Sequence, residues 1–520
     1  MLRQLLTIGI ACGLLSVGVT PLAAQSGDCD PEPAMAMISR APDGTPGNSR
    51  SYYPVISGDG RYVAFASYAD NLVPDDTNEA QDVFIYDRLT CQLNRVMAAD
   101  GSEANDSTWP LSLSDDGRYL LLMSNATNFD LAFIPPSGGN PGLFLFDTQE
   151  QTFTYIALSV GLIPDMSGDG RYVVYPSLEA GVPDDTDEVM NLYLYDRINH
   201  AISRITANGP DEPGPYANTV YYLPGISGDG AYIAFATDAN NLVETDTNYM
   251  YDIFLLERGV NALTQITPIE ERERGDDATH GSPFAPVLTA DGRYTVFSSF
   301  SPNIVPDDED CFPIYTYDRI TQITDCIKAA PENENRLFPH GTWSIDVSGD
   351  GRYISFNAGE AYVYDHYTQR LQIISMTTDG QPGFIGYDRP VISHDGRFVA
   401  FDSDSAVLTN DSGVNSQVFL TDWQRLTDYV SAIFPQRNVF PTATPTLTWS
   451  AVTWAAAYEI QIDDTDDFSS PVYHSTTLTA PEVITPELPS GVYYWRVRAQ
   501  RPNGTWSEWS VVDSFVVDVP

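Results

Sequence analysis

The sequence predicts an all-β chain: a seven-bladed β-propeller followed by a small β-sandwich. Three observations predict it. A short motif, Ser57-Gly58-Asp59-Gly60-Arg61-Tyr62, returns at intervals of 45 to 62 residues until seven copies are counted, and a recurring unit of this size marks a repeat architecture. Each copy sits among four short runs of apolar and β-branched residues divided by turn signals. Beyond residue 433 the repeat stops and a different strand pattern begins.

The later copies are Ser114-Asp115-Asp116-Gly117, Ser167-Gly168-Asp169-Gly170, Ser227-Gly228-Asp229-Gly230, Thr289-Ala290-Asp291-Gly292, Ser348-Gly349-Asp350-Gly351 and Ser393-His394-Asp395-Gly396. Asp-Gly supplies positive φ without steric cost, so the chain reverses there. In the first unit Tyr53-Pro54-Val55-Ile56 precedes the turn and Tyr62 to Ala66 follows it. Val83-Phe84-Ile85-Tyr86 and Leu93 to Ala98 come next. Four strands with turns between them make one propeller blade. The motif is therefore a turn and packing device.

The third strand of the unit ends on Tyr86-Asp87-Arg88, Tyr195-Asp196-Arg197, Tyr317-Asp318-Arg319 and Tyr364-Asp365-His366. Together with the Ser-x-Asp-Gly turn, this resembles the TolB-like β-propeller repeat over residues 35–433. The resemblance implies the fold and a role as a protein-interaction platform. It implies no particular activity, because propellers host unrelated ones.

Residues 1–24 read as a secretory signal peptide: Arg3, an apolar run from Leu5 to Val19, then Leu22-Ala23-Ala24. No transmembrane segment is expected in the mature chain, which is placed outside the cell, at its surface or in the periplasm. Met35-Ala36-Met37-Ile38 resembles the fourth strands of other units, so the N-terminus is expected to complete the last blade; Gln424 to Ala432 is the rival for that place. The net charge of −45 repels nucleic acid and anionic membranes. Outside the leader lie Cys29, Cys91, Cys311 and Cys326, an even set that suggests two disulfides in an exported protein. The expected pairs are Cys29–Cys91, tying the N-terminus to the ring, and Cys311–Cys326, across strands three and four of one blade.

Residues 434–446 are Pro- and Thr-rich and read as a linker between the propeller (25–433) and the C-terminal domain (447–520). In the latter, Tyr458 to Ile462, Tyr493 to Ala499 and Phe515-Val516-Val517 are strands of a small sandwich. The Tyr-x-Trp-x-Val-x-Ala strand and Trp506-Ser507-Glu508-Trp509-Ser510 resemble a fibronectin type III domain. The resemblance implies tryptophans interleaved with Arg496 and Arg498, and a spacer or adhesion role.

Chemical motifs are scarce. Gly-x-Ser-x-Gly, His-Glu-x-x-His and phosphate-binding glycine loops are missing from the sequence, and no catalytic residue is assigned. The distinctive feature is an acidic loop between strands two and three. It carries Asp75, Asp76, Asn78 and Asp82 in the first unit, and Asp184, Asp185 and Asp187 in the third. Asp246, Asn248 and Asp252 follow in the fourth, and Asp307, Asp308 and Asp310 in the fifth. A turn needs one such residue; the loops read as Asx-turns with solvated charge, with calcium as the alternative and the one candidate cofactor, since several oxygen ligands so close together suit it. Strand alternation puts these loops on the same face as the links between blades. Those links carry Tyr52, Tyr53, Trp109, Tyr221, Tyr222, Trp343 and Tyr387, candidate ligand contacts. The function expected is non-enzymatic binding of a protein or glycan. The alternatives are a glycan-active hydrolase or lyase and a structural component of an extracellular layer.

Overall fold

The structure is a computed structural model. It describes residues 34–129, 141–158, 164–177, 190–206, 223–237, 252–267, 286–299, 311–328, 344–376, 389–409 and 415–426, most of 439–519, and a few short pieces between these. Among the described residues the chain forms seven four-stranded antiparallel sheets, then one of three strands and one of five.

Blade one runs Ser51–Ile56, Tyr62–Ser67, Asp82–Asp87 and Gln92–Arg95, in that order across the sheet. Blades two to six repeat it over 108–158, 165–204, 223–265, 287–328 and 345–373. Blade seven takes only three strands from its own unit: Val391–Ile392, Phe398–Ser403 and Gln417–Asp422. Its fourth is Met35–Met37, paired antiparallel with the third. The N-terminus therefore closes the ring, and Gln424 does not begin a strand. A short helix, Trp423–Leu426, follows instead, its indole N–H bonded to the Gly396 carbonyl at 2.7 Å.

The recurring motif is a joint between blades. In blade one the Ser57 hydroxyl donates to Asp59 Oδ1 at 2.6 Å, and that oxygen accepts the Arg61 N–H at 2.9 Å. Ser57 Oγ in turn takes the Tyr62 N–H at 2.9 Å. The Asp59 N–H reaches the Asp115 carbonyl of blade two at 3.3 Å, which ties the turn to its neighbour. Gly60 and Gly117 have φ of 65° and 70°, which L side chains adopt only under strain. Their bareness also leaves room for an aromatic ring from the preceding blade: Tyr62 lies where a Gly117 side chain would be, and Phe398 where one at Gly60 would be. The arginine that ends strand three covers the same ring, as Arg88 over Phe398 at 4.0 Å and Arg197 over Tyr119 at 3.9 Å. The motif arginine pairs with the aspartate ending its own third strand, as in Arg61–Asp87 at 2.8 Å and Arg171–Asp196 at 2.9 Å.

These pairs carry a pH signature. The Arg171 hydrogen bond holds Asp196 down at about 2, and the Arg293 bond likewise lowers Asp318. A depressed carboxylate contributes stability above its unfolded value and loses it as pH falls through the folded one. We expect Arg171→Gln to be less stable than the parent at pH 7, by at most about 1 kcal/mol for so exposed a pair. The difference should shrink steadily as pH falls from about 4 through about 2 in thermal melts followed by circular dichroism. A gap that does not shrink over that range would assign Arg171 a packing role instead.

In the C-terminal region two sheets share one core. Leu447, Trp449 and Val483 from the three-stranded sheet meet Ile460, Trp495 and Phe515 from the five-stranded one. The linker drawn at 434–446 is partly structural. Ala432–Ile433 pairs with Thr446–Trp449, and Val439–Phe440 runs parallel to Asp513–Val517. The Pro/Thr composition hid these short edge strands because they lack alternation. Arg496 stacks on Trp509 at 4.6 Å; Arg498 stacks on Trp509 at 4.4 Å and Trp506 at 5.1 Å. Cys311 and Cys326 stand on adjacent strands of blade five, where Tyr315 faces Cys326 across a bulge. Cys91 is exposed in the matching turn of blade one, and Cys29 lies outside the described residues. No helix among the described residues is long and apolar enough to cross a membrane.

Candidate functional site

The innermost strand of every blade lines a central channel. Its wall is set by two positions: the residue two before the motif serine, and the one just after it. The first is Val55, Ser112, Asp165, Gly225, Val287, Asp346 and Val391 around the ring. The second is glycine or alanine except at Asp115 and His394. The polar exceptions converge on one cavity of about 100 Å³, also lined by Arg389.

Asp165 accepts N–H bonds from Met166 at 2.8 Å and Ile226 at 3.1 Å, and a hydroxyl bond from Ser112 at 3.2 Å. Asp346 accepts from Val347 at 3.0 Å and Ile392 at 2.9 Å. Each carboxylate thus caps the exposed inner edge of the next blade, whose backbone donors would otherwise lack a partner. Burial pushes both carboxyls up from the usual range, against the backbone bonds and the charge of Arg389.

At the Asp-Gly end, His394 Nδ1 meets Asp115 Oδ1 at 2.9 Å. Burial alone would lower the imidazole, but the bond and charge of Asp115 outweigh it and raise it. Backbone bonds tie the turns around that mouth: Asp115 N to Gly168 O at 2.7 Å, Ala290 N to Gly349 O at 3.0 Å and Gly349 N to His394 O at 2.9 Å. Arg389 precedes blade seven's inner strand and lines the same cavity. The channel residues were legible only by aligning all seven units at those two positions; taken singly, His394 is one scattered histidine.

The acidic loop of blade one has its own cation. Arg95 lies 3.3 Å from Asp76, 3.2 Å from Asp82 and 2.9 Å from Glu103, with its side chain 5% exposed. Its other amino group donates to the Asp75 carbonyl at 3.1 Å, while the Asp75 carboxylate is exposed. The carboxylate oxygens lie within 4.8 Å of one another, a spacing that would suit a divalent ion, but a guanidinium fills it. Burial pushes Asp82 up to about 6 and raises Asp76, whereas the Thr77 hydroxyl holds Glu103 down. Asn78 forms an Asx-turn, accepting the Ala80 N–H at 2.7 Å, and donates to the Ala104 carbonyl at 2.7 Å. The loop thereby fastens blade one to the link into blade two. Glu103, on that link, was missed because it lies outside the loop in sequence. In blade four Asp252 holds the register position of Asp82 and is buried, with Gln265 where blade one has Arg95. Asp184, Asp185, Asp187, Asp246, Asn248, Asp307, Asp308 and Asp310 lie outside the described residues.

Of the aromatic candidates, Tyr52 is buried rather than presented, its hydroxyl bonded to Gln81 and raised in pKa by burial. It packs at an edge-on 4.7 Å against Tyr53, which is exposed and has a φ of 54°. The strand's register shifts between Tyr52 and Val55. Trp109 is half-buried, and Tyr221, Tyr222, Trp343 and Tyr387 lie outside the described residues.

No protein-family model matches the chain, and no curated protein matches it. Among solved structures, an oligogalacturonate lyase from Vibrio parahaemolyticus is 14% identical with a TM-score of 0.45, over 75% of this chain and 93% of that one. TolB from Acinetobacter baumannii is 12% identical with a TM-score of 0.33, over 72% and 65%. The β-propeller domain of the Trilobed protease from Pyrococcus furiosus is 11% identical with a TM-score of 0.43, over 72% and 95%. Similarity this slight carries no functional inference, and the propeller stands on the chain's own sheets.

Proposed function

We propose that this protein is an exported, non-catalytic binding protein that presents its propeller to a protein partner. The observation that carries this reading is how the channel carboxylates are used. Asp165 and Asp346 are spent on backbone amides of neighbouring blades, and Asp115 on His394. A hydrolase or lyase needs an acid and a base free to face one bond. Incubation of the mature protein with neutral and acidic polysaccharides and with unstructured peptides should release no products. Product release that disappears in Asp165→Asn would overturn the reading and make the channel an active site.

Export, the Cys29–Cys91 and Cys311–Cys326 bridges and a fibronectin type III-like spacer belong to the same proposal. The stacked Arg496, Arg498 and Trp509 side chains support the last of these. Intact mass before and after reduction checks leader removal and bridges together.

A further inference from the structure

We propose that the groove between blades one and two is a seat for an arginine side chain of the protein partner, whose guanidinium takes the place of a residue that the other joints supply themselves. This rests on the protein-binding reading above and names the group that would be bound.

The seat is defined by what fills it elsewhere. At each joint an aromatic ring from one blade lies on the motif glycine of the next. The residue just after the acid that ends strand three then covers that ring. In blade order this residue is Arg88, Thr148, Arg197, Arg258, Arg319, His366 and Trp423. Arg88 covers Phe398 at 4.0 Å, Arg197 covers Tyr119 at 3.9 Å, Arg258 covers Tyr172 at 3.9 Å and Arg319 covers Tyr232 at 4.2 Å. The His366 ring stands 6.0 Å from Tyr294, and the Trp423 ring 5.0 Å from Tyr353.

Thr148 has neither a charge nor a ring. Its hydroxyl donates to the Gly117 carbonyl at 3.2 Å and goes no further. Tyr62 has its own Arg61 at 4.7 Å and no second cation or ring over it among the described residues. A cavity of about 420 Å³ opens at this joint, lined by Tyr62, Gly117 and Thr148. Asn94, Asp116, Gln149 and Gln151 also line it and are exposed, so the groove is open to solvent.

The acceptor that holds the internal arginines is kept. Arg88 donates to the Gly60 carbonyl at 3.0 Å, Arg197 to that of Gly170 at 2.9 Å and Arg319 to that of Gly292 at 3.3 Å. The Gly117 carbonyl is the corresponding atom here, and a carbonyl has a second lone pair beyond the Thr148 bond. Asp116 Oδ1 accepts from the Ser114 hydroxyl at 2.8 Å and the Arg118 N–H at 2.9 Å, while its Oδ2 has no partner among the described residues. The two cations that also line the groove are paired: Arg118 with Asp147 at 2.9 Å, and Arg95 with its three carboxylates. Blade three has Arg204 at the register position of Arg95, and the next joint still seats Arg258 over Tyr172.

A guanidinium suits this seat better than an ammonium group. It is planar, stacks on aromatic faces and is more weakly hydrated. The chain's 71 acidic residues against 26 basic ones favour approach of a basic segment.

The test is isothermal titration of the protein with two peptides, acetyl-Gly-Arg-Gly amide and acetyl-Gly-Lys-Gly amide, carried into the millimolar range. The arginine peptide should bind at one site, at least fivefold tighter than the lysine peptide. Thr148→Arg supplies the guanidinium from within; it should weaken arginine-peptide binding at least tenfold and melt no lower than the parent. Thr148→Ser should bind as the parent does. Should Thr148→Arg fail to fold, Tyr62 still decides. Tyr62→Phe keeps a ring, as Phe398 does in blade seven, and should keep the binding, whereas Tyr62→Leu should weaken it at least fivefold. Equal binding of the two peptides would overturn the guanidinium assignment. Binding unchanged in Thr148→Arg or in Tyr62→Leu would place the peptide elsewhere and overturn the seat. No saturable heat with the arginine peptide would also overturn the seat, while leaving the protein-binding reading intact. Product release from the polysaccharides or peptides would instead bring down that reading itself.

Discussion

Arg95→Gln lowers the stability of the protein by about 3–5 kcal/mol, the range for removing one partner of a buried ion pair. The magnitude follows from what is left behind. Asp76 and Asp82 have side chains 6% and 1% exposed, and without the guanidinium their charges repel one another in a dry setting. The loss also depends on pH. Asp82 titrates at about 6 against a usual 3.8, so its contribution is fully present below the unfolded value and is lost as pH rises through the folded one. Removing Arg95 raises that carboxyl further. The deficit of the variant should therefore be smallest near pH 4 and largest above pH 7, as read by urea unfolding at each pH. A deficit that does not vary with pH would mean that Arg95 acts through packing. Millimolar calcium should restore part of the variant's midpoint and leave this cage unchanged in the parent. A calcium-selective rise in the parent would belong to the loops around Asp184, Asp246 and Asp307.

Gly117→Ala should cost about 2–5 kcal/mol, adding about 1–2 for a side chain in left-handed backbone to about 1–3 for overpacking. Gly101 supplies the internal control. It has a φ of 80° but nothing within 4 Å of a built Cβ, so Gly101→Ala bears only the backbone part, about 1–2 kcal/mol. The steric share at Gly117 belongs to the Tyr62 ring. Tyr62→Ala in the Gly117→Ala background should then cost less than Tyr62→Ala alone, a coupling that a double-mutant cycle measures. Strict additivity would mean that the ring does not set the requirement for glycine.

The ring was legible in the sequence because its joints are local. Ser57, Asp59, Gly60 and Arg61 form one turn whose bonds span two to five residues, so each copy repeats the same letters. The aromatic residue that ends each copy, tyrosine in six and Phe398 in the seventh, is equally visible, though its partner glycine belongs to another blade. The channel was not legible in this way. Asp165 and Asp346 stand at a position that is valine in three blades, serine in one and glycine in one, and their meaning comes from amides some 61 and 46 residues away. The acidic loop of the first blade concealed its partner for a related reason. Its carboxylates are adjacent in sequence and suggest a metal, but the cation that satisfies them is an arginine on the next strand but one. Tyr52 was read as a surface aromatic because strand and loop share the same letters there.

The clasp that closes the ring also sets an order of assembly. Met35 pairs with Thr421 and Met37 with Phe419, so the first strand made must wait for nearly the whole propeller to emerge before it finds its partner. Until then blade seven has an open edge, and the early strand is an unpaired apolar segment. Contacts this distant slow folding, and open edges during the wait invite pairing with other chains. Newly made molecules are thus most vulnerable just before completion. A chain shortened from either end past the clasp would keep six intact blades and lose the seal.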